Sequence, residues 1–124
     1  RSSMSPLIVL DQDGRFVATL GSPGSSAILA YNLKTLVAML DWGLPMQEAV
    51  DLPNIIARGD YIVGEVSRID PAMLQALSDL GAVVTRGRNE QSGLQGLIVL
   101  PDGRLGGAAD PRREGVVIIR PSNR

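Results

Sequence analysis

The 124-residue sequence contains no cysteine and no histidine. Without cysteine there is no disulfide framework, no thiol nucleophile and no thiolate metal site, and any redox compartment remains open to the chain. Without histidine the chain cannot by itself assemble a Ser-His-Asp triad, an HExxH zinc site or an imidazole base. Aromatic residues are almost as scarce, with only Phe16, Tyr31, Trp42 and Tyr61 present. The core must therefore be aliphatic and alanine-rich, with few rings on which a large ligand could stack. Twelve basic side chains against thirteen acidic ones leave a net charge of −1. That balance argues against nucleic acid or a membrane surface as an electrostatic partner. The basic cluster from Arg86 to Arg88 and the Arg112-Arg113 pair read as solvated surface. No apolar run approaches the ~18 residues of a membrane-spanning helix. The start has no signal-peptide pattern, and an opening at Arg1 suggests a processed product or an excised piece.

What is present fits one globular domain over residues 1–124, with 44% hydrophobic and 20% charged residues. Leu7 to Leu10 and Phe16 to Leu20, joined by Asp11-Gln12-Asp13-Gly14, predict a β-hairpin. The unbroken apolarity of the first strand predicts burial on both of its faces. From Ser25 to Leu40 the pattern becomes helical, with Leu29, Leu33, Leu36, Val37 and Leu40 on one face. Ala27, Ile28, Ala30, Ala38 and Met39 widen that stripe, which predicts a helix buried on most sides. Ser25 or Ser26 is placed to cap it, and a short helix follows over Met46 to Val50. Two short β-like runs flank Arg58-Gly59-Asp60. Asp70-Pro71 opens a third helix, with Met73, Leu74, Leu77 and Leu80 on one face and Gly81 as its cap. Ala82 to Thr85 predicts a strand, and Pro101-Asp102-Gly103 the turn of a second hairpin between Leu94–Leu100 and Arg104–Ala108. A final apolar run covers Val116 to Ile119. The fold class is α+β.

Two small-residue segments stand out chemically. Arg1-Ser2-Ser3-Met4-Ser5-Pro6 supplies hydroxyls, and Gly21-Ser22-Pro23-Gly24-Ser25-Ser26 supplies backbone N–H groups where a helix begins. One apolar hairpin separates them, so chain geometry can return both to the same end of a sheet. Together they suit an anion or a developing oxyanion. The second segment has neither the lysine of a Walker A loop nor the spacing of a dinucleotide fingerprint, and from its local sequence a capped turn entering a helix is the favoured reading. Ser2 and Ser3 have no histidine or lysine beside them, so they suit hydrogen bonding to a carboxylate better than nucleophilic attack. Asp110 offers a carboxylate base or a metal ligand, but its Asp-Pro context favours a turn or ion-pair role.

Five motifs in order resemble the C-terminal region of the small subunit in γ-glutamyltranspeptidases. They are Ser2-Ser3-Met4-Ser5-Pro6, Leu10-Asp11-Gln12-Asp13-Gly14, Leu20-Gly21-Ser22-Pro23-Gly24, Asp41-Trp42-Gly43 with Glu48-Ala49-Val50-Asp51-Leu52-Pro53, and Gly106-Gly107-Ala108-Ala109-Asp110-Pro111-Arg112. The resemblance implies part of an αββα N-terminal-nucleophile hydrolase sandwich. It implies a self-cleaving precursor whose threonine attacks γ-glutamyl amides and passes the acyl group to water or to an amino acid. Bacterial members are often periplasmic or secreted. By the same resemblance Ser2 and Ser3 would bind the α-carboxylate of the glutamyl group, and Gly24 and Ser25 would supply oxyanion-hole N–H groups. No cofactor is implied. The partners implied are a small γ-glutamyl substrate, the rest of the small subunit and the large subunit.

The sequence departs from the family pattern in three respects. The catalytic threonine lies outside these residues; so do the residues that would grip the glutamyl amine and a large-subunit arginine for its carboxylate; and Asn54-Ile55-Ile56-Ala57-Arg58 replaces an aromatic and histidine-rich stretch, with Ser25 where a second glycine is common. A related amidase such as a cephalosporin acylase, or a non-catalytic domain sharing the fold, is the alternative. If the family reading holds, the chain alone should be inactive, and apolar surface meant for missing layers should make it self-associate or leave it marginally stable.

Overall fold

The computed structural model describes residues 2–87 and 91–120. These divide into two compact units, Arg1–Asp51 with Gln91–Arg124, and Leu52–Glu90.

The first unit is a four-stranded antiparallel sheet with two helices. Strands β1 (Leu7–Leu10) and β2 (Phe16–Gly21) form the first hairpin. The turn between them is closed by Asp11, whose carboxylate accepts from the Asp13 and Arg15 backbone N–H groups. This is the Asx-type local bonding that makes aspartate a turn residue. In the second unit, β3 (Ile55–Ala57) pairs antiparallel with β4 (Ile62–Gly64), which pairs parallel with β5 (Val84–Arg86). Returning to the first unit, β6 (Gln95–Val99) and β7 (Leu105–Ala109) form the second hairpin. The sheet order is β1-β2-β6-β7, with Leu20 opposite Leu7 on one side and Gly96 on the other.

One sheet face carries Ala18, Leu20, Gly96 and Ala108 and is covered by helix. Met46, in α2 (Met46–Asp51), packs so closely on Gly96 that a Cβ there would lie 3.0 Å from its Cε. The opposite face carries Ile8, Leu97 and Leu105, which remain 72%, 47% and 59% exposed. The expectation that β1 is buried on both faces is thus corrected. Its residues alternate between half-buried and exposed because no second layer lies over Ile8 and Leu10 among the described residues.

Helix α1 (Ile28–Leu40) is preceded by one 3-10 turn, Ser25–Ala27. Ala27, Ile28 and Ala38 of the expected stripe are buried, but its leucine face is not. The buried side is Ile28, Tyr31, Asn32, Thr35 and Ala38, while Leu29, Leu33 and Leu40 point to solvent. The inward positions include polar groups because each has a partner there: Thr35 Oγ1 donates to the Tyr31 carbonyl and Asn32 Nδ2 to the Ser5 carbonyl. Periodicity identifies a two-faced helix but does not say which face this unit covers. The serine caps are also corrected. The residues flanking the 3-10 turn and α1 at their N-terminal ends are Gly24 and Ala27, and neither start has a side-chain cap hydrogen bond.

The second unit begins its helix α3 (Pro71–Asp79) as the sequence predicts. The Asp70 carboxylate accepts from Ala72 N at 2.7 Å, Pro71 takes the first helical position, and Gly81 follows the cap in the left-handed region. Of the α3 stripe only Leu74 and Leu77 are half-buried; Met73 and Leu80 are exposed. Strand β5 starts two residues later than expected. Arg88 and part of the predicted polar loop lie outside the described residues.

Candidate functional site

The two small-residue segments meet. The Ser3 backbone N–H donates to the Ser25 carbonyl at 3.1 Å, so β1 and β2 return the chain to its own start. Ser2 and Ser25 are exposed, and Ser3 and Gly24 are half-buried, which leaves the junction open to solvent. Gly24 takes φ 143° and Ser25 φ 55°. The first conformation is costly for any residue with a Cβ. It is doubly closed here, because a Cβ on Gly24 would lie 2.5 Å from Cε2 of the fully buried Tyr31. This dihedral sequence explains why the serines do not cap α1. The chain turns through the left-handed region at Ser25 instead of presenting an extended cap residue.

A second layer braces the loop from behind. Ser22 Oγ accepts from Gly93 N at 3.0 Å and donates to the Pro23 carbonyl. A Cβ at Gly93 would lie 2.8 Å from the Pro23 ring, so only glycine permits this approach. Beside it, Ser92 Oγ donates to Asp110 Oδ2 at 2.5 Å, and Leu94 N donates to the same oxygen. Asp110 Oδ1 accepts from the backbone N–H and the guanidinium of Arg112. The guanidinium also donates to the Val50 and Asp51 carbonyls at the end of α2.

Asp110 is 1% exposed. Burial pushes its carboxyl upward, but the hydrogen bonds from Ser92, Arg112 and Leu94 outweigh that and hold it below the usual carboxylate range. A carboxylate held ionised by four donors is poorly suited to take a proton. The ion-pair reading of Asp110 therefore stands over the base or metal-ligand reading, and no cluster of three or more potential metal ligands occurs among the described residues. Arg112, expected at the solvated surface, is instead buried, its side chain only 4% exposed. Ser92 and Asn32 were not singled out by the sequence. Ser92 sits in a polar stretch that reads as loop, and Asn32 interrupts a helical apolar pattern without altering it.

The structure thus brings the Ser2-Ser3 segment and the Gly24–Ser25 loop together at one solvent-accessible junction. The family model for gamma-glutamyltranspeptidase matches residues 1–119. The chain belongs to the γ-glutamyltranspeptidase family. It is 35% identical over 114 residues to the glutathione hydrolase proenzyme of Escherichia coli (strain K12), covering 90% of this chain and 19% of that protein. It is 33% identical over 117 residues to the acylase ACY 1 proenzyme of Pseudomonas sp. (strain SE83), covering 94% and 21%. Its fold matches the solved γ-glutamyltranspeptidase of Pseudomonas nitroreducens complexed with L-DON, with a TM-score of 0.84 and 27% identity over 98% of this chain and 64% of that one. The α+β fold is thus part of an N-terminal-nucleophile hydrolase. The chain spans only 19–21% of the length of these two curated relatives.

Proposed function

We propose that this γ-glutamyltranspeptidase-family chain is the C-terminal portion of a small subunit and forms half of an acyl-transfer pocket. Ser2 and Ser3 hydrogen-bond the α-carboxylate of a γ-glutamyl donor. The backbone N–H groups of Gly24 and Ser25 stabilise the oxyanion that forms when a threonine hydroxyl, supplied by the rest of the precursor, attacks the γ-carbonyl. The threonine proton passes to its own α-amine and on to the leaving amine, leaving an ester that water or an amino acid then cleaves. The single observation that supports this most is the Ser3 N–H to Ser25 carbonyl bond, which joins the two segments at one point. The exposed Ile8, Leu97 and Leu105 face is where the second sheet of the sandwich would dock.

The test is turnover of a γ-glutamyl anilide. The full precursor should cleave itself and release the anilide product, while the pure 124-residue chain should be silent and either self-associated or marginally stable. Turnover by the chain alone would overturn the reading; a stable inert monomer would overturn it in favour of a non-catalytic stand-alone domain.

A second reading is an acylase that takes a different side-chain amide. It is favoured by the 33% identity to the acylase proenzyme over nearly the whole chain and by Ser25 in place of a second glycine. Preference of the full enzyme for a cephalosporin side-chain amide over the γ-glutamyl anilide would select it.

A further inference from the structure

Asn32 lies on the buried side of α1 with 3% of its surface exposed, between Ile28 and Thr35. A buried amide costs free energy unless its bonds are satisfied, and Asn32 is only half satisfied. Its Nδ2 donates to the Ser5 carbonyl at 2.7 Å across 27 residues of sequence, while its Oδ1 is buried without a hydrogen-bond partner among the described residues. The side chain is therefore held for its donor.

What that donor grips is the serine segment. Ser5 Oγ donates to the Ser3 carbonyl at 2.9 Å, and Ser3 N–H donates to the Ser25 carbonyl. A continuous set of bonds thus runs from α1 through Ser5 and Ser3 to the Gly24–Ser25 loop. The preceding residue, Tyr31, abuts Gly24 itself. Two adjacent residues of one helix thus touch both halves of the junction.

We infer that Asn32 is a positioning residue that fixes the serine segment relative to the Gly24–Ser25 amides, and so sets recognition of the donor's α-carboxylate. This rests on the proposed roles of Ser2, Ser3, Gly24 and Ser25. Without the Asn32 donor, the Ser5 carbonyl loses its tether to the helix, and the Ser2-Ser3 hydroxyls are no longer aligned with the α-carboxylate of a donor whose γ-carbonyl sits at the Gly24–Ser25 amides. The effect falls on recognition of the α-carboxylate, because the Gly24–Ser25 amides keep their own backbone geometry against Tyr31.

The test compares two donors in the full-length, self-processed enzyme: a γ-glutamyl anilide with a free α-carboxylate and its α-carboxamide counterpart. Asn32→Leu keeps the volume and removes the donor. It should lower kcat/KM for the free-carboxylate donor about tenfold, mainly through KM, the size expected for one hydrogen bond that orders a charged contact. The carboxamide donor should change by less than about twofold, since it never formed that contact. Equal losses on both donors would mark a merely structural role and overturn the inference, as would no loss on either. Should Asn32→Leu fail to fold or process, Ser5→Ala decides alone. It removes only the Ser5 Oγ link, and a smaller loss confined to the free-carboxylate donor supports the inference, whereas an unselective loss or none overturns it. If the unaltered enzyme does not distinguish the two donors, the proposed carboxylate role of Ser2 and Ser3 fails, a result distinct from failure of Asn32 alone.

Discussion

Strand β7 is bracketed by two Asp–x–Arg pairs of identical spacing. Before it, Arg104 Nε meets Asp102 Oδ2 at 2.6 Å; after it, Arg112 Nη1 meets Asp110 Oδ1 at 3.1 Å. The first is shorter and the second matters more. Asp102 and Arg104 side chains are 51% and 78% exposed, so water and salt screen the contact and both side chains lose entropy in making it. Asp110 and Arg112 are 1% and 4% exposed, and between them they reach Ser92, Leu94 and the carbonyls ending α2. Distance alone does not rank ion pairs; burial and the number of additional partners do.

The comparison breaks most visibly if the buried pair is cut. Asp110→Ala removes the carboxylate that pairs with the buried Arg112 guanidinium and accepts from Ser92 Oγ, and should cost about 3–5 kcal/mol of stability. Chemical denaturation of the full-length protein measures it. A cost under about 1 kcal/mol would show that the pair behaves like an exposed one.

Gly24→Ala sharpens the contrast by straining the same braced loop without touching the pair. Left-handed strain and overlap with Tyr31 should together destabilise it by about 2 kcal/mol or more and lower kcat on the γ-glutamyl anilide. Retained kcat would dissociate this backbone from the oxyanion role.

Acid should separate the two carboxylates. Asp110 is held below its ordinary 3.8, so its contribution is fully present above that value. There the unfolded and folded chains are both ionised. As pH falls, the unfolded chain takes up the proton first, and stability declines from about pH 4 through the lower folded pKa. Asp110→Asn should flatten that part of the stability–pH curve. Asp102 is also held low, first by the Arg104 backbone N–H and then by its side chain. With its side chain 51% exposed and the contact screened by water, it should give the smallest effect of all: Asp102→Asn should leave the denaturation midpoint and the acid limb where they were.

The legible part of the fold was local. Asp11 at the first turn, Asp70-Pro71 at the α3 start and Pro101-Asp102-Gly103 between β6 and β7 each act through bonds within a few residues, so sequence order suffices to see them. The meeting of the two small-residue segments was also foreseeable, because a hairpin must return to its origin. The Leu29, Leu33 and Leu40 stripe misled because apolar spacing reports a face that some surface covers, not that this unit covers it. Arg112 misled because charge reads as solvent exposure until a buried carboxylate is known to stand beside it. Asn32 and Ser92 gave no signal, since their partners Ser5 and Asp110 are 27 and 18 residues away.

By itself the sequence determined family membership, the chemistry that is excluded by having no histidine or cysteine, and the elements whose signals are short-range. Only the tertiary structure decided which side of α1 is buried, which Asp–x–Arg pair leaves water, and which backbone conformation Gly24 and Ser25 adopt. Those outcomes depend on what each residue packs against, and that is settled by contacts between stretches of chain far apart in sequence.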